Sequence, residues 1–248
     1  MTDALPAALS PYEPSERTIP TRSRERASYD RPLVHAILDE GYVCHLGFVR
    51  DGAPVVLPTL YGRVGEHLYV HGSTGSRPMR MAGGRGDGTG NGAENSAGNG
   101  RDGDGGSEGP GLPVCLTVTH VDGLVLAKSA FHHSINYRSV VVHGTARQVT
   151  DPEELRTALD ALVDHVVPGR AADSRPGNAK ELAATAVLRL DLDEVSAKVR
   201  TGGPNDDPED ATLPHWSGVV PVVGGLGTPV PAEDLDPAIA LPGYLAGR

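Results

Sequence analysis

A loop of small and hydroxyl-bearing residues that ends in an arginine has the composition to bind a phosphate group. The segment from Gly72 to Arg77 reads GSTGSR. It offers backbone N–H groups with little bulk around them, hydroxyls that can donate, and a guanidinium that can bind two oxygens at once. Many loops share such a string, but this one follows a short strand and precedes a helix start. The sequence therefore predicts a local phosphate site here.

A second polar run, from Lys128 to Arg138, reads KSAFHHSINYR and lies between apolar strands. It combines two imidazoles, hydroxyls, an amide, a phenol and two cations. Binding residues concentrate on connections of this kind when a rigid scaffold carries them. The alternative interpretation is a polar strand connection whose side chains satisfy one another.

The spacing of the histidines, cysteines and serines gives little support to a metal site or to a catalytic nucleophile. His67 and His71 share one face of a strand but lie about 13 Å apart. The chain has no H-E-x-x-H helix and no paired-cysteine spacing, so we expect no metal site. A single axial histidine has no spacing signature, so haem ligation stays open. No G-x-S-x-G elbow indicates a hydrolase, and no glycine string has the βαβ layout of a dinucleotide fingerprint.

Charge and composition limit the class of protein. The 248 residues carry a formal net charge of −10, which argues against general binding to nucleic acid or to an anionic membrane. Cys44 and Cys115 lie in apolar runs and are interpreted as buried free thiols. No hydrophobic run approaches membrane-spanning length, and the N-terminus lacks a signal-peptide core. We therefore expect a cytoplasmic protein.

An antiparallel meander must position the phosphate loop. Alternating apolar runs predict strands at 42–49, 53–61 and 67–71, joined by a turn at Asp51-Gly52 and a turn over residues 62–65. Further strands are expected at 112–120, at 124–131 after a turn at Asp122-Gly123, and at 138–149, 186–192 and 195–201. Helix starts are expected at Ser28 or Asp30, near Ser76, after Asp151 and around 179–185. Seven or eight strands with two or three helices predict a mainly antiparallel, closed or partly open β-barrel with peripheral helices.

The chain divides into three regions. Residues 1–20 are an arm that orders only by packing on another part of the protein. Residues 21–201 form the barrel domain, and its segment 83–111 holds 13 of the 32 glycines, which predicts a disordered insertion. Residues 202–248 form a Gly/Pro-rich extension with Trp216 as an aromatic anchor.

A set of strings covers about residues 17–222, apart from the insertion. In chain order they are RTIPTRSRERASYDR, VVLPTLYGR, LYVHGSTGSRPMR, LVLAKSAFHHSINYRSVVVHGTAR, and SAKVRTGGPNDDPED followed by PHWSGVVP. Taken together, these strings resemble the pyridoxamine 5′-phosphate oxidase-like FMN-binding split-barrel superfamily. The closest likeness is to its flavin-nucleotide-binding branch, which is related to the 5-nitroimidazole resistance reductases.

The resemblance implies a homodimer with FMN bound between the subunits. It assigns residues 58–60 to the strand that runs along the flavin ring, and Ser76 and Arg77 to the phosphate. The full set of cofactor-binding residues that it implies is Pro58, Thr59, Leu60, His71, Gly72, Ser73, Ser76, Arg77, His133, Ser134, Asn136, Tyr137, Arg138, Lys198, Arg200 and Trp216.

The expected function is that of an FMN-dependent oxidoreductase, a reductase of a small molecule with NAD(P)H or another cellular reductant as electron donor. His71 and Tyr137 are the candidates for protonating a reduced substrate. The paired tryptophans and the arginine–histidine set that hold pyridoxamine phosphate in the true oxidases have no counterpart here, so oxidation of that vitamer is not expected. The alternative is a non-catalytic flavin- or haem-binding module for storage, sensing or scavenging.

Overall fold

The structure, a computed structural model, describes residues 9–84, 109–236 and 238–245. Within these residues the strands are β1 Ala27–Ser28, β2 Val43–Arg50, β3 Ala53–Val64, β4 His67–Ser73, β5 Leu112–Leu126, β6 Ser134–Gln148, β7 Thr185–Asp191, β8 Glu194–Arg200 and β9 Gly218–Pro221. The α-helices are α1 Arg31–Glu40, α2 Arg77–Ala82, α3 Pro152–Val166 and α4 Ala179–Ala184. Short 3-10 helices lie at Arg24–Arg26, Ala130–His132, Pro208–Asp210 and Gly243–Leu245.

Six strands close into a barrel. Neighbouring strands follow the circuit β6, β7, β4, β3, β2, β5, and β5 pairs again with β6. Each of these pairings is antiparallel. Strands β1 and β8 extend the sheet beyond β6, and β9 extends it beyond β5. The predicted antiparallel barrel with peripheral helices is confirmed.

Alternation along the strands fills the barrel. In β5 the side chains of Leu112, Val114, Leu116 and Val118 are buried, and the residues between them face outward. Helix α1 adds Val34, Ile37 and Leu38 to the same core, and Asp30 caps the helix by accepting from the N–H of Leu33. Each such side chain contributes about 1.5–3 kcal/mol when it leaves water.

The sequence prediction for the β5–β6 hairpin is wrong in two places. Asp122 and Gly123 form no turn, because β5 runs through them with a shift of register between Val121 and Gly123. Such a bulge accommodates one extra residue while pairing continues on both sides. Strand β6 begins at Ser134 rather than at residue 138, since Ser134 pairs with Val125.

The element counts also differ from the prediction. The described residues contain nine strands and four α-helices, against the predicted seven or eight strands and two or three helices. The extra strands, β1 and β9, are two and four residues long, and two of the helices have only six residues. Segments this short have too few residues for a periodic signal, so their pairing partners define them.

The N-terminal arm and the insertion each attach to the barrel at described residues. Tyr12 is 2% exposed, and its backbone N–H donates to the carbonyl of Tyr29 (2.8 Å). The predicted insertion falls largely on residues 85–108, which lie outside the described part of the chain. Its two ends meet, because the N–H of Gly111 donates to the carbonyl of Ala82 (3.2 Å). Among the described residues, no helix is long and apolar enough to cross a membrane.

Helix α3 packs directly on β3 at Gly62, where a glycine is required by the close approach of two backbones. A Cβ at this position would lie 3.0 Å from the carbonyl carbon and oxygen of Ala161 and from the nitrogen of Leu162. We predict that Gly62→Ala lowers the free energy of unfolding by about 1–3 kcal/mol, because backbone atoms cannot yield as a side chain does. Urea titration measures the change. Gly224→Ala, where nothing lies within 4 Å, is the control and should be nearly neutral.

Candidate functional site

Strand β3 changes partner along its length, and this change opens the barrel. Residues 53–60 pair with β2, whereas residues 61–64 pair with β4. Strand β4 continues to Ser73, but after Val70 its ladder partner is β7 alone. The two strands therefore separate beyond the Tyr61–Val70 pair and leave a split between them. One edge of residues 53–60 has no ladder partner within the described strands.

The split places two groups of predicted site residues on its two sides. They are Pro58, Thr59 and Leu60 on β3 and His71, Gly72 and Ser73 on β4. Pro58 lacks an N–H, which suits a strand that has a neighbour on one side only. Leu60 is exposed and offers an apolar wall beside this edge.

The hydroxyl of Ser76 is the clearest sign of a ligand in the loop that follows β4. Its oxygen is buried and has no hydrogen-bond partner among the described residues. Leaving a buried hydroxyl unsatisfied costs about 1–3 kcal/mol, so such groups usually face a ligand or an ordered water. Arg77, the next residue, is exposed at the first position of α2.

Backbone donors of this loop are less available than the sequence suggested. The N–H of Thr74 donates to Ala184, and that of Ser76 donates to the carbonyl of Ser73. The N–H of Gly75 donates to the hydroxyl of Ser73 (3.2 Å). A phosphate at this loop would therefore have to be held mainly by side chains.

Gly72 keeps the surroundings of the Ser76 hydroxyl open. A Cβ on Gly72 would lie 3.0 Å from the Ser76 oxygen and 3.2 Å from the methyl group of Met79. A buried hydroxyl without a described partner, an arginine at the next position of the chain and this space together fit a phosphate group.

Two predicted site residues from distant strands meet in a buried pair. The guanidinium of Arg200 donates to the side-chain oxygen of Asn136 and to the carbonyls of Gly202 and Gly203. Arg200 is only 9% exposed, and none of the described carboxylates forms an ion pair with it. The pair anchors the start of the C-terminal extension to β6 and β8.

Arg138 is occupied by two carboxylates. Its guanidinium forms hydrogen-bonded ion pairs with Glu40 and with Asp122, the latter at 2.8 Å. Hydrogen bonds from Arg138 hold the pKa of both carboxyl groups below their usual values and raise the pKa of the arginine. A role for Arg138 at the cofactor stays a prediction.

The Arg138 ion pairs predict a pH dependence of stability. Because the pKa values of Glu40 and Asp122 are lowered in the folded state, their contribution is present above the unfolded values of 4.5 and 3.8 and is lost as pH falls through the folded values. Arg138→Gln should therefore flatten the acid limb below about pH 4.5, by on the order of 1 kcal/mol because the groups are partly exposed. Melting temperatures between pH 3 and 7 measure this. A slope as steep as that of the wild type would contradict it.

The remaining predicted residues lie on other elements. Nδ1 of His133 is 3.0 Å from the carbonyl of Ser129, Lys198 donates to the carbonyl of Arg22, and Tyr137 pairs with Arg200 in the ladder. Ser134 begins β6, and Trp216 is largely exposed. No hydrogen bond or ladder pairing between described residues connects these five to the split.

One side-chain cluster of metal-ligating types lies beside the C-terminal extension. His132, Asp207 and Asp210 each bring one potential ligand atom within 4.8 Å of the others. Exposed acidic groups commonly gather in this way, and nothing else at this cluster indicates a cation. We assign no role to it.

A groove beside the split was missed by the sequence reasoning. It has a volume of about 1030 Å³ and is lined by Leu60, His71, helix α3 and the segment leading to α4. The apolar stripe of α3 was predicted, but only part of it packs on the barrel, and Val163 stays 40% exposed at the groove. The apolar stripe of α3 is wider than its contact with the barrel requires, and this extra width is the sequence signal that could have indicated the groove.

A six-stranded antiparallel circuit, split between β3 and β4 and followed by a hydroxyl–guanidinium loop, defines a split-barrel protein. The family model described as pyridoxamine 5′-phosphate oxidase matches residues 30–91 and 100–199. The chain therefore belongs to the pyridoxamine 5′-phosphate oxidase family, as the sequence predicted. Comparison with curated proteins gave no match.

Two solved structures resemble the chain over nearly its whole length. The flavocytochrome Anf3 from Azotobacter vinelandii is 35% identical, with 95% of this chain and 97% of that chain covered and a TM-score of 0.79. The FAD and haem binding protein from Mycobacterium smegmatis is also 35% identical, with 90% and 96% covered and a TM-score of 0.75. A putative 5-nitroimidazole antibiotic resistance protein from Bacteroides thetaiotaomicron shares the fold at 20% identity, with 70% and 86% covered and a TM-score of 0.50.

Proposed function

We propose that this chain is a flavin-binding oxidoreductase that holds the phosphate of its cofactor with Ser76 and Arg77. The observation that carries the proposal is the buried Ser76 hydroxyl without a partner among the described residues, in a serine that the exposed Arg77 follows directly in the chain. FMN, the cofactor expected from the sequence, and FAD both contain this phosphate, so one anchor serves either flavin. The FAD and haem binding protein from Mycobacterium smegmatis supports a flavin in general.

The β3–β4 split is the proposed place for the flavin ring. Its β3 edge offers unpaired backbone groups at residues 58–60, which can face the polar edge of the ring, and Leu60 offers an apolar contact. A bound flavin would supply the redox chemistry. The protein would orient the ring and exclude water, and His71 at the β4 side of the split can hold or deliver a proton. Tyr137 keeps its predicted role as a second proton donor.

We further propose that the working form is a homodimer. Val43 and Leu60 are directly paired across β2 and β3, both are exposed, and Val56 is exposed on the same face. Contiguous exposed apolar side chains are typical of surfaces that bind another protein. A second copy covering this face would close the split and would bring its own Trp216 towards the flavin.

Spectroscopy of the purified protein tests the flavin proposal. We expect a yellow protein with a flavin absorption spectrum that NADH or NADPH bleaches without oxygen and that a small-molecule acceptor restores. Chromatography of the released cofactor distinguishes FMN from FAD. A colourless protein that binds neither added FMN nor added FAD would contradict the proposal.

Haem binding is a second candidate function, and two findings favour it. Both of the 35%-identical proteins are described as haem or cytochrome proteins. The groove beside the split is large, mainly apolar on its α3 wall, and lined by a histidine. A Soret band in the purified or haemin-reconstituted protein would establish this candidate, and its absence after reconstitution would remove it.

A further inference from the structure

We infer that His71 is the axial ligand of a haem bound in the groove between α3 and the β3–β4 split, an inference that rests on the haem candidate above. The groove volume of about 1030 Å³ is just above the range of roughly 300–1,000 Å³ for small-molecule and cofactor sites, so the groove has room for a ligand as large as haem. Leu162, Val163 and Val166 of α3 form its apolar wall. Such a wall suits the face of a porphyrin, which is flat and hydrophobic.

Among the described residues that line this groove, His71 is the one histidine. Its side chain is exposed, and its ring forms no hydrogen bond with a described residue. Haem iron takes one neutral imidazole nitrogen as an axial ligand, and neither nitrogen of His71 is already engaged by those residues.

Other histidines are excluded by their contacts or their positions. His165, on α3 itself, has Nε2 bonded to the carbonyl of Gly41 and its ring against Tyr61. His133 has the oriented ring that metal ligands often show, since Nδ1 contacts the carbonyl of Ser129, but it does not line the groove. His45 is exposed on β2 and also lies outside the lining.

The two propionates of a haem need cationic partners, and the groove supplies arginines. Arg156, Arg170 and Arg175 all line it. Arg170 and Arg175 already pair with Asp173 and Glu181, whereas Arg156 forms no ion pair with a described residue. Arg156 is therefore the residue best placed to bind a propionate.

Haemin titration of the full-length protein and its variants tests the inference. His71→Ala should weaken haem binding by about tenfold or more and should remove the absorption and resonance Raman signature of histidine ligation. Added imidazole should restore that signature, because the small ligand can occupy the space left by the side chain. Arg156→Ala should weaken binding several-fold without changing the ligation signature. His45→Ala, a matched exposed strand histidine, should leave the Soret band and the affinity unchanged.

The outcomes distinguish a protein that binds no haem from one that binds haem through a residue other than His71. A wild-type protein that gives no Soret band with haemin removes the haem candidate and this inference with it. A wild-type Soret band that persists unchanged in His71→Ala, or that disappears in His133→Ala instead, keeps the haem candidate and overturns the assignment to His71. Circular dichroism of each variant checks the fold, which we expect His71→Ala to retain because His71 is exposed.

Discussion

Arg77→Ala should weaken binding of FMN by about 10- to 100-fold, the equivalent of losing a charge-assisted hydrogen-bonded pair. Arg77 is exposed at the start of α2 and directly follows Ser76, whose buried hydroxyl no described residue satisfies. Without the arginine, the phosphate would retain hydroxyl donors but would lose this charge-assisted pair. Titration of the apoprotein, followed by quenching of flavin fluorescence, measures the change in dissociation constant.

Two controls make the Arg77 prediction specific to the phosphate. Riboflavin has the same ring and no phosphate, so its affinity should be the same for the wild type and for Arg77→Ala. Arg24→Ala, an exposed arginine whose guanidinium bonds the carbonyl of Pro20, should leave FMN binding unchanged. An equal loss for riboflavin and FMN would show that the variant perturbs the ring site or the fold, and an unchanged FMN affinity would remove Arg77 from the phosphate site.

Tyr12→Ala should lower the free energy of unfolding by about 3 kcal/mol, the lower end of the cost of deleting a buried aromatic ring. The ring is 2% exposed, and the guanidinium of Arg31 lies 4.1 Å from its centre. Its hydroxyl donates to Glu66 at 2.8 Å. For a chain of this size the loss corresponds to a fall of roughly 6–12 °C in melting temperature. Calorimetry or thermal circular dichroism measures it.

Tyr12→Phe separates the ring from the hydroxyl. This variant keeps the buried surface and loses the hydroxyl's hydrogen bonds with Glu66 and with Nε2 of His35, so a loss of about 1–2 kcal/mol is expected. Burial and that carboxylate both raise the pKa of Tyr12, which keeps the hydroxyl neutral and donating. If both variants were as stable as the wild type, the arm would contribute nothing to the folded state.

The central meander was predictable because its signals are local. The Asp51-Gly52 turn separates β2 from β3 as predicted, and β2, β3 and β4 begin within one residue of the predicted positions. The predicted turn over residues 62–65 is wrong in extent, because β3 continues to Val64 in its ladder with β4 and only residues 65 and 66 form the turn. Caps are local as well: Asp151 accepts from the N–H groups of Glu153 and Glu154, as its place before a proline and two acids indicates.

The bulge and the short strands were not predictable in this way, because pairing at long range determines them. An Asp-Gly dipeptide favours a turn, yet Asp122 and Gly123 lie inside β5. Pairing of β5 continues past them on both of its edges, with β6 as far as the Val125–Ser134 pair and with β9 as far as the Leu126–Gly218 pair. Strand β9 exists because Gly218–Pro221 returns to pair with β5. Nothing in four residues of sequence indicates that partner.

The features of the candidate site also differ in this way: local ones were predictable from the sequence, and those set by long-range packing were not. The residue types and order of the phosphate loop can be interpreted from the sequence, and the structure adds that the Ser76 hydroxyl is buried without a described partner. The occupation of Arg138 by Glu40, 98 residues away along the chain, could not be predicted. The groove lies between α3 and strands β3 and β4, which are far apart in the chain, so its existence depends on tertiary packing such as the close approach of α3 to β3 at Gly62.

A crystal structure of the protein grown with FMN tests the central claim most directly. The account predicts the flavin ring in the split between β3 and β4, with phosphate oxygens about 3 Å from the Ser76 hydroxyl and from the Arg77 guanidinium. A flavin bound elsewhere, with Ser76 and Arg77 out of contact with its phosphate, would contradict the account.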